Sequence, residues 1–439
     1  MANLSRNYNS YDVIVVGAGM AGLAAARLLS ERGRRVAVIE ARDRVGGRLL
    51  SVRGETAIEL GAEFVHGLPP SSWKLIHEAS LPTYELAGEQ YCYDAVLDKC
   101  GREWNQTFEV LHQMDEWLQR QPLGFDCSFQ QYLDQAALPA ALAERAAGYV
   151  EGFNAADRRR IGVASLVRQQ RAEDAIESDR IFRIAAGYDS LPRYLSDRML
   201  GAGAELHLQC EVAQINWQRG SVRIEARAGA DGFACQAPQA IITLPLGVLQ
   251  ARQVRFEPAI PAIERGVSAM SMGTVARISL LFKRPFWEAR APDLGFLFVR
   301  SLRIGTWWTS QPNRTPLLTA WIGGAAAAAR LASGNAPGKA ALENAALADL
   351  AAVFSISLSE LRADLRSSHH HDWQSDPWSR GAYSYAPTAA LPAADVMSQP
   401  VDQTLFFAGE HTAGDGHWGT VHGALASGER AATQLLRGN

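Results

Sequence analysis

The 439-residue sequence contains no apolar run long enough to cross a membrane. A membrane-spanning helix needs roughly 18 or more consecutive apolar residues. The nearest approach, TAWIGGAAAAARLA at 319–332, is shorter and rich in alanine, so we interpret it as a buried strand that continues into a helix. The first residues, MANLSRNYNSYD, lack the apolar segment of a secretory leader. The sequence therefore predicts a protein that neither spans a membrane nor is exported.

Basic residues are not in excess, and they form no extended block. The chain has 43 Lys and Arg against 46 Asp and Glu, which gives a formal net charge of −3. Its one dense basic run, Arg158-Arg159-Arg160, is explained by a solvated helix end. This balance argues against general binding of nucleic acids, which requires a basic surface.

Cysteines are few, and their number is odd. No two of them are spaced as C-x-x-C, and no other motif pairs them. We therefore expect reduced thiols in a cytoplasmic protein and no disulfide framework. The five cysteines are Cys92, Cys100, Cys127, Cys210 and Cys235.

Several histidines are grouped in the sequence, but their spacing does not indicate a metal site. They form a run at 369–371, and His411, His417 and His422 lie close together near the C-terminus. No H-E-x-x-H motif occurs, and adjacent residues on a strand point to opposite faces. No metal is expected.

The N-terminal region carries a glycine motif between an apolar strand and a helix. The segment VIVVGAGMAGLAAARLL, at 13–29, places Gly17, Gly19 and Gly22 directly after four apolar residues. In such a G-x-G-x-x-G turn the first glycine permits the tight turn. The second lets a pyrophosphate approach the backbone, and the third lets the helix pack on the strand. A second strand ends at Glu40, where a carboxylate could hold a ribose hydroxyl pair. The pattern predicts dinucleotide binding.

A second glycine pair follows immediately, in the run ARDRVGGR at 41–48. Gly46 and Gly47 permit close passage of the backbone, and the forked guanidinium of Arg48 could bridge pyrophosphate oxygens. A nicotinamide enzyme has no evident need for this second motif. The two motifs together predict FAD.

Further motifs identify a family. The chain also contains ELGAEFVHG at 59–67, DWQSDPWSRGAYSY at 372–385 and LFFAGEHT…GTVHGALASGERAA at 405–432. With these, the sequence resembles the flavin-containing amine oxidases, which include monoamine oxidases, polyamine oxidases and lysine-specific histone demethylases. The resemblance covers essentially the whole chain. It is strongest to the polyamine oxidase and demethylase branch.

The resemblance implies an α/β fold in two discontinuous domains. A Rossmann-like FAD-binding domain of the glutathione-reductase type would comprise 1–68, 187–250 and 390–439. An α+β substrate-binding domain would comprise 69–186 and 251–389. Patterning predicts a largely helical segment from Pro69 to about Ile184, followed by strands such as VARISLLF at 275–282.

The resemblance also implies which residues hold FAD. Residues 61–64 would lie beside the flavin ring, and Val212 would meet the adenine through its backbone. A helix starting near Val421 would direct its N-terminal dipole at the pyrimidine edge of the flavin. The expected cofactor-binding residues are Gly17, Gly19, Met20, Ala21, Gly22, Glu40, Ala41, Arg42, Gly47, Arg48, Gly61, Ala62, Glu63, Phe64, Val212, Trp373, Gly409, Glu410, Thr420 and Val421.

Four residues are expected at the reaction centre: Tyr383, Arg277, Thr420 and His66. Tyr383 matches the aromatic residue that flanks the substrate amine in the family, and His66 matches a histidine near the substrate in polyamine oxidases. Arg277 stands where the family usually has a lysine, a substitution that changes both acidity and shape. The position of the covalently linked cysteine of monoamine oxidases is Ala382, so FAD is expected to bind non-covalently.

The implied reaction oxidises an amine C–N bond to an imine by hydride transfer to flavin N5. Water then gives an aldehyde or ketone, and O2 or another acceptor reoxidises the flavin. The expected substrate is a polyamine or other small amine, with Glu63, Glu151 and Asp189 as candidate carboxylates along its path. Alternatives are an L-amino acid oxidase, with Arg277 on the substrate carboxylate, and a flavin-binding interaction protein with little turnover. A monomer and a homodimer are both compatible with the sequence.

Overall fold

The computed structural model of the chain describes residues 9–229, 232–324 and 338–438. Within these ranges the helices are Met20–Ser30, Pro70–Glu78, Arg102–Gln119, Phe129–Gln135, Ala140–Asn154, Val163–Asp174, Ser190–Gly201, Leu246–Gln250, Pro261–Ala269, Lys339–Phe354, Leu358–Asp364, Pro392–Met397 and Val421–Arg437. Short 3-10 helices occur at Phe286–Ala289 and Glu410–Thr412.

The first sheet is a five-stranded parallel sheet, and it carries the glycine motif at the end of its middle strand. Four of its strands are completely buried and, apart from Gln239, apolar, as expected of a parallel sheet that is covered on both faces. In spatial order the strands are Glu205–His207, Val36–Ile39, Val13–Val16, Gln239–Ile242 and Leu405–Phe407.

Alternate residues of this sheet face different layers. Val13 and Val15 join a core with helices Met20–Ser30, Ser190–Gly201 and Val421–Arg437. Ile14 and its neighbours on the opposite face pack against a second sheet of five strands. The strands of that sheet are, in order, Asn9–Ser10, Phe233–Ala237, Ser221–Arg227, Glu211–Gln218 and Arg255–Glu257.

The largest sheet has seven strands and a separate core. Its neighbouring strands are antiparallel except for one parallel pair, Leu294–Val299 with Glu89–Tyr93. Helix Lys339–Phe354 packs its apolar side chains against it. The strands run in the order Leu365–His369, Val275–Phe282, Leu317–Gly323, Thr306–Trp308, Leu294–Val299, Glu89–Tyr93 and Leu97–Lys99.

Smaller elements connect these layers. Helices between Arg102 and Asp174 form a helical cluster around the buried Phe129 and Tyr132. A three-stranded sheet has the order Val65–His66, Ile181–Ile184 and Thr83–Glu85, and its first strand belongs to the segment at 59–67. Two strand pairs complete the described part of the fold. These pairs are Ser51–Val52 with Ile58–Glu59, and Ser271–Met272 with Ser384–Tyr385.

The strand predictions are confirmed where the pattern was long. The strand at 275–282 has the predicted bounds, and Leu317–Gly323 begins the segment predicted to run from strand to helix; the remainder of that segment lies outside the described residues. The prediction of a helical segment from Pro69 to Ile184 is wrong in part, because it also contains four short strands. The parallel sheet contains strands from all three segments of the predicted FAD-binding domain. The boundaries of the two domains stay a prediction.

The cysteine prediction is wrong for one pair. Cys92 and Cys100 form a disulfide, with their Cα atoms 5.0 Å apart. They meet because the hairpin formed by Glu89–Tyr93 and Leu97–Lys99 brings them together, with the Cys100 N–H donating to the Gln90 carbonyl. The other three cysteines are free and buried. An odd count excluded complete pairing, but it did not exclude a single hairpin bridge.

No single helix among the described ranges combines the length and the apolar character needed to cross a membrane. Helices Lys339–Phe354 and Leu358–Asp364 meet that requirement only as a pair, and they are bent by 116° relative to each other.

The packing of the first helix on the last gives a stability prediction. A Cβ at Gly428 would lie 2.0 Å from the Ala21 carbonyl oxygen, so Gly428→Ala forces two buried helices apart. We expect a loss of about 1–3 kcal/mol in the free energy of unfolding, measured with urea. Gly148→Ala is the matched control, because Gly148 also lies within a helix but has nothing within 4 Å of its Cβ position. That change should stabilise by about 1 kcal/mol, and equal effects of the two changes would contradict the packing argument.

Candidate functional site

A cavity of about 1460 Å³ opens at the carboxyl ends of the parallel strands. Val16, Ile39, Thr243 and Gly409, which end or follow four of these strands, form part of its wall. Ligands of open parallel sheets bind at this edge. The cavity continues to the seven-stranded sheet and the helical cluster, and its volume exceeds the range of about 300–1,000 Å³ that is usual for small-ligand pockets.

The predicted site residues meet in this cavity. Every predicted catalytic residue lines it, and so does every predicted cofactor-binding residue except Gly22. Gly22 lies behind the wall, where an added Cβ would be 1.9 Å from the Gly17 carbonyl oxygen. Its position fits the packing role of the third glycine. The individual roles of the lining residues stay predictions.

The glycine turn leaves backbone N–H groups facing the cavity. Gly19 precedes helix Met20–Ser30, and no side chain caps the helix N-terminus. Gly17 has φ +104°, and its Cβ position is 2.6 Å from Thr243 Oγ1, so only glycine fits there. At Gly19 nothing lies within 4 Å of the Cβ position, because that side faces the open cavity. An uncapped helix N-terminus of this kind binds anions such as phosphate.

Glu40 stands at the end of the second strand, as predicted. Its carboxylate accepts N–H bonds from Ala18, at 2.7 Å, and from Arg42, at 2.9 Å. Burial raises its pKa, and the two N–H bonds partly oppose this effect. The side chain is thus fixed at the cavity wall between the two glycine motifs.

Arg42 and Arg48, two of the three arginines of the second motif, are bound to protein groups. Arg42 donates from both Nη atoms to Asp376, each at 2.7 Å, and its guanidinium lies over Trp373 and Trp378. Arg48 donates from Nη1 to Glu410, at 2.9 Å, and to the Ala382 carbonyl, at 2.8 Å. Their predicted contacts with FAD stay predictions.

Glu410 joins the C-terminal segment to the cavity wall. One carboxylate oxygen accepts from Arg48, and the other accepts from Ser384 Oγ, at 2.6 Å, and from the Gly419 N–H, at 2.9 Å. Burial alone would favour the neutral acid, but the charge of Arg48 and these hydrogen bonds lower the pKa of Glu410. Glu410 is therefore an anion, and its two oxygens connect Arg48 with Ser384 and Gly419.

The predicted helix start near Val421 is confirmed. Helix Val421–Arg437 begins there, and Thr420 Oγ1 accepts the Gly423 N–H at 2.9 Å as a cap. Thr420 and Val421 both line the cavity. A second helix dipole therefore presents its positive end to the cavity.

Tyr383 lies on the cavity wall with its hydroxyl engaged. The Oη donates to the Phe153 carbonyl at 2.6 Å. Burial, together with the charge of Glu410, raises the pKa of Tyr383, so the phenol stays protonated at neutral pH. The ring is thereby held in one orientation.

Three histidines of the cavity wall, His66, His417 and His422, are neutral at neutral pH. His66 lies edge-on between Phe64, at 5.9 Å, and Phe153, at 5.8 Å, and burial lowers its pKa to about 4. His417 and His422 share a hydrogen bond of 3.0 Å, and burial together with the neighbouring imidazoles lowers the pKa of His422 to about 3. At neutral pH these imidazoles add no charge to the wall.

Arg277 does not extend freely into the cavity. One Nη atom donates to the Gly61 carbonyl at 2.6 Å, and the other contacts the Glu63 carboxylate. Its guanidinium also lies over the Trp308 ring, 5.6 Å from the centroid. Lys283 directly follows the strand that carries Arg277, but it lies away from the cavity: its Nζ donates to the Ala363 carbonyl at an exposed site.

Several important lining residues were not predicted. Trp308 and Trp321 come from the large sheet, and Tyr149 and Phe153, stacked at 5.7 Å, come from helix Ala140–Asn154. Together with Phe64 they form an aromatic wall. The signal available in the sequence was the aromatic content of TWW and GYVEGF, but no motif tied these stretches to the site.

Carboxylates also line the cavity. Glu173 accepts from Gln169 Nε2 at 2.8 Å, and burial raises its pKa to about 7. Glu151 lines the cavity as expected, whereas Glu63 is engaged with arginines. Asp189 was predicted on the substrate path, but it lies outside the cavity and pairs with Arg53 and Arg193. The lining carboxylates include Glu144, Glu151, Glu173, Asp174, Glu177 and Asp179.

The histidine run at 369–371 has three separate partners. His369 contacts Ser367, His370 contacts the Arg277 carbonyl and His371 contacts Asp376, at 3.0, 2.6 and 2.8 Å. Among the residues that the structure describes, no group of three metal-ligating side chains has the geometry to hold an ion.

The residues present fit FAD. The uncapped helix N-terminus and the glycine backbone suit a diphosphate, and Glu40 suits a ribose. The second helix N-terminus suits the part of a flavin where negative charge develops on reduction. All three lie on one continuous cavity large enough to leave room for a second molecule.

Comparison with known proteins identifies a family and a fold. A family model described as flavin containing amine oxidoreductase matches residues 20–436. Among solved structures, wild-type putrescine oxidase bound to putrescine has a TM-score of 0.82 and 21% identity, covering 98% of this chain and 99% of that one. Cyclohexylamine oxidase from Brevibacterium oxydans IH-35A has a TM-score of 0.82 and 20% identity, with the same coverage. At these identities the two structures show a shared fold.

Two curated relatives come from Oryza sativa subsp. japonica. Lysine-specific histone demethylase 1 homolog 2 is 28% identical, over 97% of this chain and 57% of the relative. Polyamine oxidase 4 is 27% identical, over 97% of this chain and 88% of the relative. The chain spans between 30% and 58% of the length of the demethylase relatives.

Burial of His411 predicts a pH effect on stability. His411 is 1% exposed, and burial lowers its pKa from 6.5 to about 4. The unfolded chain therefore binds a proton at pH 5 that the folded chain does not, so stability is lost as the pH falls from 7. Between pH 7 and pH 5 we expect the wild type to lose about 2 kcal/mol more than His411→Leu. Urea unfolding at the two pH values measures this difference, and equal losses would contradict it.

Proposed function

Because this chain belongs to the family of flavin-containing amine oxidoreductases, we propose that it oxidises a small amine with FAD as its cofactor. One observation carries the proposal. A single cavity joins the uncapped turn at Gly19 to the aromatic wall around Tyr383. A diphosphate-binding end and an amine-binding end thus belong to one site.

FAD would be held by the glycine turn, Glu40, the segment Gly61–Phe64 and the start of helix Val421–Arg437, in a discontinuous domain of the glutathione-reductase type. When bound, it supplies a hydride acceptor for oxidation of the amine C–N bond to an imine. Hydrolysis of the imine gives an aldehyde or ketone, and O2 is the proposed final acceptor, yielding H2O2. Binding is proposed to be non-covalent, since Ala382 offers no nucleophile.

The protein's own groups orient the amine and exclude water. Tyr383, held by its bond to the Phe153 carbonyl, presents a fixed aromatic face to the amine. His66 is uncharged at neutral pH, so it can accept a hydrogen bond from an amine without repelling it. The surrounding aromatic rings keep the reacting C–H bond in an apolar environment.

The substrate is proposed to be a polyamine or another small amine. Carboxylates that line the cavity, such as Glu151 and Asp174, would attract a cation. The names of Polyamine oxidase 4 and of putrescine oxidase among the similar proteins agree with this class. An amino acid substrate is less well supported, because both Nη atoms of Arg277 already have protein partners.

The reaction class is tested by adding amines without oxygen. The purified full-length protein should be yellow, and its flavin absorbance should bleach with an amine substrate. Putrescine, cyclohexylamine and L-leucine distinguish a diamine, a monoamine and an amino acid. We expect bleaching with one of the two amines at rates at least tenfold above that with L-leucine. Bleaching by L-leucine alone would establish the amino acid oxidase instead, and an unchanged spectrum with all three would contradict turnover of amines.

Gly19→Val tests the placement of the cofactor. A branched side chain at Gly19 would project into the open cavity where the diphosphate is proposed to lie, so we expect loss of the yellow colour. Gly201→Val is the control, since that glycine is exposed at the end of another helix with nothing within 4 Å. The flavin-to-protein ratio from absorbance measures the effect. Full flavin content in a folded Gly19→Val protein would show that the diphosphate lies elsewhere.

A further inference from the structure

Three buried charged side chains meet at the Gly61–Phe64 segment. Glu63, Arg183 and Arg277 are 7%, 7% and 5% exposed, respectively. One carboxylate oxygen of Glu63 contacts Arg277, and the other contacts Arg183. A single carboxylate therefore joins two guanidinium groups.

The two arginines come from different sheets. Arg183 lies on strand Ile181–Ile184, which pairs with Val65–His66 directly after the Gly61–Phe64 segment. Arg277 lies on strand Val275–Phe282 of the seven-stranded sheet. Glu63 thus connects two sheets across the wall of the cavity.

Only part of this cluster faces the cavity. Glu63 and Arg277 line it, whereas Arg183 does not. Arg183 instead lies against the back of the wall, with its guanidinium 5.2 Å from the centroid of the Phe64 ring. Any influence of Arg183 on a bound molecule must therefore pass through Glu63 or Phe64.

The charges of the cluster require Glu63. Burial lowers the pKa of Arg183 to about 9, and the charge of Arg277 contributes to this shift; burial lowers that of Arg277 to about 10. Both are therefore cations at neutral pH. The charge of the nearby Glu59 also favours the charged form of both arginines, but its carboxylate already accepts from Ser51 Oγ, at 2.6 Å, and from the Tyr188 N–H, at 2.8 Å. Without Glu63, both buried cations would lose the carboxylate that contacts them, a costly change.

We propose that Arg183 is a positioning residue that acts through Glu63. By holding the second oxygen of the carboxylate, it prevents Glu63 from rotating, and Glu63 in turn fixes Arg277 and the Gly61–Phe64 segment. The inference rests on the proposed function, because this segment borders the reaction only if the cavity holds FAD. Arg277 then acts as an immobile positive charge at the reaction centre.

A double-mutant cycle tests the shared carboxylate without using activity. Arg183→Met should lower the thermal midpoint of the full-length protein, because one oxygen of Glu63 loses its partner. In the Glu63→Gln background the same change should raise the midpoint, because it removes one of two unshared cations. If Glu63→Gln alone gives no folded protein, the double variant should restore folding. The same direction of change in both backgrounds would overturn the charge-sharing arrangement.

Rapid mixing with a substrate amine in the absence of oxygen tests positioning. Arg183→Met should slow flavin reduction at saturating amine at least tenfold, with less than a threefold change in the amine concentration giving half-maximal rate. Arg183→Lys should recover most of the rate, since it keeps the positive charge. Arg193→Met, which removes an arginine paired with Asp189 outside the cavity, is the control and should leave both values unchanged.

The outcomes separate this inference from the proposed function. If no amine reduces the wild-type flavin, the proposed function fails and the positioning inference fails with it, whatever the thermal midpoints show. If the wild type is reduced and Arg183→Met is reduced equally fast, the positioning inference alone is overturned. A slow Arg183→Met variant together with the reversal in thermal midpoints supports it.

Discussion

The architecture of the site depends on the backbone N–H groups at the start of helix Met20–Ser30, which no side chain caps. Their direction is set by Gly17, which alone fits against Thr243, and by Gly22, which lets the helix approach the strand. The helix is held in place by helix Val421–Arg437, whose Gly428 lies against Ala21. Segments from the two ends of the chain thereby form the edge at which the diphosphate is proposed to bind.

Elements whose residues form a contiguous pattern could be predicted from the sequence. Strand Val275–Phe282 and the glycine turn were predictable because their apolar runs and small residues are contiguous. Strand Ile181–Ile184 was not, because it is short and pairs with segments far away in the chain. The bridge between Cys92 and Cys100 likewise depends on hairpin pairing and not on a cysteine motif.

The residues of the candidate site also differ in whether the sequence predicted them. The side proposed to bind FAD was predictable, since glycines, Glu40 and the family motifs all reach the cavity. The side proposed to bind the amine was not: Trp308 and Glu173 belong to stretches without a motif. The contacts of Glu63 also could not be read from the sequence, because one of its partners is Arg183, which is distant in the chain and carries no motif of its own.

The aromatic wall and the dinucleotide edge belong to different structural layers. Trp308 and Trp321 come from the seven-stranded sheet, whereas the glycine turn belongs to the parallel sheet. Each layer has its own hydrophobic core. Substitutions at Trp308 or Trp321 can therefore reshape the aromatic wall while the core beneath the glycine turn stays unchanged. The architecture would allow substrate preference to diverge among descendants of a common ancestor while the proposed FAD site is retained.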